Sequence, residues 1–174
     1  MSDYPRHSTS KVKVGDKAPD FTLNSHSDGE VNLGWYAGRK NVVLAFYPAD
    51  WTPVCTSQMP SYSAVVDRFD QYDCQILGIS VDSVPCHIQW AKSLGGLSFP
   101  LLADFFPHGG VAEAYGVLKS KGYAERAIFI IDKFGIIQHI EIVNPSEMPD
   151  EKLLFEQLAA LPEGPKRPDD YLRK

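Results

Sequence analysis

Cysteine is scarce in this chain: three in 174 residues, Cys55, Cys74 and Cys86. No two stand at the spacing of a CxxC pair or of a zinc ligand set, which excludes a dithiol exchange motif and a metal or disulfide scaffold. An odd, sparse set fits a reducing compartment, and makes each thiol a question of reactivity. Positive charge is also in deficit. Lys plus Arg number 17 against 22 Asp plus Glu, a net charge of −5, so no basic surplus exists to neutralise a phosphate backbone and nucleic acid is not the expected partner. No apolar run approaches the roughly 20 residues that cross a bilayer. The first residues lack the apolar stretch of a secretory signal, and the expectation is a cytoplasmic protein without a membrane partner. Neither GxGxxG nor GxxxxGK occurs; Gly95-Gly96 and Gly109-Gly110 read as turns. The histidines, His7, His26, His87, His108 and His139, are scattered without ligand spacing, so no metal is expected, and no other cofactor.

What is present is ordinary globular material: 44% apolar residues, 22% charged, 9 Phe, 8 Tyr and 3 Trp, enough for one domain with a sizeable core. Residues 1–11 are polar and are expected to form a flexible arm. Residues 12–162 form the domain, and 163–174, rich in proline and charge, form a tail.

Within the domain, residues 41–47 (NVVLAFY), 75–81 (QILGISV) and 127–131 (AIFII) are short apolar, β-branched runs of the kind that make buried central strands. Residues 136–143 alternate more, and DKFG at 132–135 is a hairpin turn joining them antiparallel to the preceding strand. Met59, Tyr62, Val65, Val66 and Phe69 recur at helical intervals and predict a helix over 58–69. Further helices are expected over 85–94, 111–115 and 149–161. The order is βαβ followed by ββα: an α/β fold with a central mixed sheet flanked by helices.

The segment FYPADWTPVCTSQM at 46–59 joins the end of a buried strand to the start of a helix, where open α/β sheets place their sites. Cys55 falls in the first helical turn, where unpaired N–H groups and the helix dipole favour a thiolate. Pro48 and Pro53 stiffen the approach, and the Thr52 hydroxyl can turn back toward the sulfur. The bland alternative is a small buried cysteine at an ordinary helix start. Thr52 takes the place of the first sulfur of CxxC, leaving a single thiolate.

Pro48, Thr52 and Cys55 match position by position the Pro-x-x-x-Thr/Ser-x-x-Cys pattern of the peroxiredoxins, and here the chain resembles that family, the alkyl hydroperoxide reductase/thiol-specific antioxidant proteins. GISVDS at 78–83, SLGGLSFPLLADF at 93–105, VAEAYGV at 111–117 and ERAIFIID at 125–132 extend the likeness over most of residues 14–161. The resemblance implies a thioredoxin-like fold with an N-terminal extension and a thiol-dependent peroxidase. It makes Cys55 the nucleophile and carries the active-site arginine to Arg126. Gln58 stands where the family commonly has Glu, a departure, and would support Arg126 through a neutral amide. Hydroperoxide is the implied substrate, and a homodimer the implied assembly.

Regeneration is less well specified. Pro60 stands five positions after Cys55, so no nearby thiol serves there; Cys86 is a possible resolving cysteine and Cys74 a poorer one. The favoured expectation is one-cysteine chemistry with an external thiol reductant, thioredoxin-like, glutaredoxin-like or a low-molecular-weight thiol. The competing readings are a thioredoxin-like disulfide-exchange module and a redox sensor without peroxidase turnover. Trp51 and Trp90 are aromatic candidates to line an organic substrate's path, and His87 is not expected to pair with its neighbour Cys86, since adjacent helical residues diverge.

Overall fold

The structure is a computed structural model, and residues 12–27 and 29–165 are described here. The expected arm over 1–11 and most of the tail therefore lie outside the described residues. The strands are β1 (Thr22–Ser25), β2 (Glu30–Asn32), β3 (Asn41–Phe46), β4 (Cys74–Ser80), β5 (Leu101–Ala103), β6 (Arg126–Ile131) and β7 (Ile137–Val143). The helices are α1 (Pro53–Ala64), α2 (Val66–Asp70), α3 (Val84–Ser93), α4 (Gly110–Ala114) and α5 (Glu151–Ala159). The strands form one mixed sheet in the order β2-β1-β5-β4-β3-β6-β7.

β3, β4 and β5 are parallel and occupy the middle, as the continuous apolar runs require. Successive β3 side chains alternate between two cores. Val42, Leu44 and Phe46 join Tyr115, Phe129 and the β1–β2 residues, whereas Val43, Ala45 and Tyr47 face α1, α3 and α5 through Met59, Trp90 and Leu154. Each fully buried aliphatic or aromatic side chain there contributes about 1.5–3 kcal/mol of transfer free energy. Gly78 of β4 lets the layers close: a Cβ on it would meet Leu101 Cδ2 at 2.7 Å and Met59 Sδ at 3.5 Å.

The DKFG hairpin forms as expected. Asp132 Oδ1 accepts from the N–H groups of Phe134 and Ile136, and β6 pairs antiparallel with β7. The helix expected over 58–69 is displaced and split: α1 begins at Pro53, and the chain breaks at Val65 (φ −115°, ψ 22°) before α2. Pro53 can open a helix because the N–H it lacks would have no intrahelical acceptor. That opening proline, rather than apolar periodicity, set the true start. α3 and α5 begin on side-chain caps, Ser83 Oγ accepting from Cys86 N–H and Asp150 Oδ1 from Leu153 N–H.

Candidate active site

β3 delivers the chain to residues 47–52, and α1 turns back from them. Thr52 is the N-cap residue of α1, with extended backbone, yet its hydroxyl caps nothing. It donates instead to the Ala49 carbonyl at 2.9 Å. The hydroxyl proton is thus committed, and the oxygen presents its lone pairs to anything that enters. With no side-chain cap, the N–H groups of the first turn, including that of Cys55, point out of the helix toward any negative charge placed before them.

Cys55 is fully buried, and Arg126, at the first position of β6, is 1% exposed. Arg126 Nη2 lies 3.3 Å from Cys55 Sγ. Its remaining donors are satisfied by neutral oxygens: Nη1 by Gln58 Oε1, and Nη2 and Nε by the Pro145 carbonyl at 2.9 and 3.3 Å. Arg126 is thus a buried group and not one half of a surface ion pair. Gln58, one helical turn after Cys55 and also fully buried, uses its Nε2 to donate to the Tyr62 hydroxyl at 3.2 Å. Burial drives the Tyr62 phenol well above its ordinary range, which keeps it neutral. A buried guanidinium with no carboxylate among these partners has the Cys55 sulfur as the group that can carry compensating charge.

Cys55, Gln58 and Arg126 are therefore brought into direct contact. Arg126 also lines an open cavity of about 460 Å³, together with Pro48, Ala49, Thr52, Pro53, Val54, Tyr123, Pro145 and Ser146. Tyr123 and Pro145 are contributions the sequence did not signal, because they come from loops flanking β6 and β7. Neither tryptophan lines this cavity. Trp51 is 56% exposed, and Trp90 is buried with its ring 5.6 Å from that of Tyr47.

The other cysteines are held as thiols. Burial pushes Cys74, at the start of β4, up to about 12. Cys86, in the first turn of α3, is pushed up to about 11 by burial and then by the carboxylates of Asp50 and Asp82. Its Sγ stands 3.9 Å from Asp82 Oδ1. All three cysteines are free.

With this geometry in view, comparison with known proteins gives the class. Residues 14–140 match the AhpC/TSA family, and the chain belongs to that family; it is a thiol-dependent peroxidase with a peroxiredoxin fold. Among its relatives is the alkyl hydroperoxide reductase E of Mycobacterium tuberculosis, 41% identical over 151 residues, which cover 86% of this chain and 98% of that protein. A chloroplastic 2-cysteine peroxiredoxin of Chattonella marina is 36% identical over 168 residues, covering 91% and 85%. Among solved structures, the reduced 2-Cys peroxiredoxin of Plasmodium vivax superposes with a TM-score of 0.79 at 33% identity, covering 84% of this chain and 80% of that one.

Proposed function

We propose that the chain reduces hydrogen peroxide and organic hydroperoxides at Cys55 and is regenerated by an external thiol. The observation that carries this is the placement of Arg126, which contacts Cys55 Sγ at 3.3 Å and lines the cavity. A hydroperoxide entering there meets Thr52 Oγ1, whose lone pairs accept its O–H hydrogen, and Arg126 N–H groups, which donate to its oxygens. The thiolate attacks the terminal oxygen, the S–O bond forms and the O–O bond breaks. The hydrogen stays on the transferred oxygen as Cys55–SOH; the alkoxide or hydroxide leaves and takes a proton from water. Arg126 and the first-turn N–H groups act most strongly as charge moves from sulfur to the leaving oxygen. Pro48 helps to shield the sulfur from water. Ala49, Pro53, Val54, Tyr123 and Pro145 offer apolar surface to an alkyl chain, and about 460 Å³ exceeds what hydrogen peroxide needs.

An external thiol then attacks the sulfenic sulfur, water departs, and a second thiol exchanges out the resulting mixed disulfide. The protonated state of Cys74 and Cys86 supports this one-cysteine cycle. A two-cysteine cycle through Cys86 is the second reading, favoured by the relatives named 2-cysteine peroxiredoxins. Non-reducing peptide mapping after one equivalent of peroxide decides between them: a Cys55–Cys86 disulfide together with lost turnover in Cys86→Ser establishes the two-cysteine cycle. We place the protein in the cytoplasm as a homodimer. The parallel strands β3, β4 and β5 end at one rim, where the exposed Trp51, Phe105 and Phe106 supply apolar surface. Stopped-flow peroxide decay tests the central reading, with Cys55→Ser expected to abolish consumption in a folded protein.

A further inference from the structure

Beside the reacting groups lies a buried polar network that the chemistry above does not use. His87, on α3, is fully buried. Its Nδ1 is 2.7 Å from Asp50 Oδ2, and its Nε2 is 3.1 Å from the Leu102 carbonyl oxygen of β5. The carbonyl can only accept, so Nε2 carries a hydrogen, and a proton lies between Nδ1 and the carboxylate. Tyr47 donates its hydroxyl to Asp50 Oδ1 at 2.7 Å. Burial, with Asp50 beside it, keeps that phenol protonated. The Asp50 main chain is tied separately: its N–H donates to Asp82 Oδ2 at 2.8 Å, and Asp82 in turn accepts from Ser80 Oγ.

Asp50 is therefore fixed through its side chain by Tyr47 and by His87 of α3, which is itself bonded to β5, and through its backbone by Asp82, two residues past the end of β4. It stands in the middle of the loop that supplies Pro48, Ala49 and Thr52 to the cavity. The next residue, Trp51, holds a left-handed φ of 67°, which costs a non-glycine residue on the order of 1 kcal/mol and persists only where its surroundings enforce it. Thr52 follows, its hydroxyl bound to the Ala49 carbonyl. A buried polar pair of this kind is weak support for stability, since its desolvation offsets its attraction. Its location on this loop gives it another use.

We infer that Asp50 and His87 are positioning residues for the peroxide reaction. Bonded to Tyr47 and the Leu102 carbonyl, they hold the loop so that Thr52 meets the hydroperoxide in line with Cys55. This rests on the peroxidase cycle proposed above. Neither residue touches the reacting atoms, and misplacement of a reacting group by about 1 Å can cost roughly 100-fold in rate.

The test compares two reactions at the same sulfur. Stopped-flow oxidation of reduced Cys55 needs the Thr52 geometry, whereas alkylation by iodoacetamide reaches the same buried sulfur without using the Thr52 hydroxyl. Asp50→Asn and His87→Leu are expected to slow oxidation by roughly 10- to 100-fold while alkylation of Cys55 is unchanged. His87→Asn, which keeps a donor at the Nδ1 position, should recover most of the rate, and the double variant Asp50→Asn/His87→Leu should be no slower than the slower single. Wild-type oxidation rates in the folded variants, additive losses, or alkylation falling in step with oxidation would each overturn the inference. Should those variants fail to fold, Tyr47→Phe decides: slower oxidation with unchanged alkylation supports the network, and a wild-type rate refutes it. A wild-type chain that leaves peroxide untouched defeats the peroxidase reading itself, and this inference with it.

Discussion

Gln58→Glu isolates the electrostatics of the site, because it changes charge with almost no change in shape. In the wild type, Arg126 is buried against Gln58 Oε1, the Pro145 carbonyl and Cys55 Sγ, and of these contacts the sulfur can carry the counter-charge. A carboxylate at position 58 would be separated from Sγ by one guanidinium. At roughly 6 Å and an effective dielectric near 20, two like charges repel by about 3 kcal/mol. Dividing by about 1.4 kcal/mol per factor of ten and allowing for partial protonation of the new acid leaves a 10- to 100-fold smaller thiolate fraction at a fixed pH below the titration midpoint. Ultraviolet thiolate absorbance against pH reads this directly, and stopped-flow oxidation should fall by the same factor. Thermal stability should not fall, since the guanidinium gains an anionic partner. A variant that titrates and reacts like the wild type would show that Arg126 does not set the charge on sulfur.

Three further outcomes are expected. Arg126→Ala should slow peroxide attack by two or more orders of magnitude, since it removes the cation beside sulfur and a donor to the leaving oxygen; retention of the rate would remove Arg126 from the mechanism. Cys86 has a raised pKa, so its thiol is fully protonated at neutral pH and becomes reactive only as pH climbs toward about 11. Mass-spectrometric mapping of alkylation should therefore show Cys86 accelerating steeply with pH, and Asp82→Asn should shift that rise to lower pH. Cys74, held near 12 by burial on β4, should label only after unfolding. Because its folded value is raised, its contribution to stability is present below the ordinary thiol range and is lost as pH rises through about 12, so urea midpoints should decline on the alkaline side. A flat alkaline profile would contradict its burial.

The parts of this molecule that were legible in sequence share a physical cause: they are local. Central strands announce themselves as continuous apolar runs because both faces are covered, and β3, β4 and β6 match their runs to within a residue at each end. Pro48, Thr52 and Cys55 fall within eight residues of chain on one strand–helix junction, and their spacing alone carries the pattern. β1, β2 and β5 went unmarked, being three or four residues long and specified by partners distant in sequence, as in the pairing of Asn24 with Ala103. The same separation hid the contacts that hold the site together. Arg126 and Pro145 meet only because β6 and β7 form a hairpin that folds against β3. Asp50 and His87 meet only because α3 returns over the end of β3, and a lone histidine after a cysteine carries no signal of that contact. The positions hidden from sequence also hold the positions that were visible. Arg126 needs Pro145 to aim it, and the loop bearing Pro48 and Thr52 is held through Asp50. A local motif therefore specifies which atoms react, while long-range packing determines whether they stand in line.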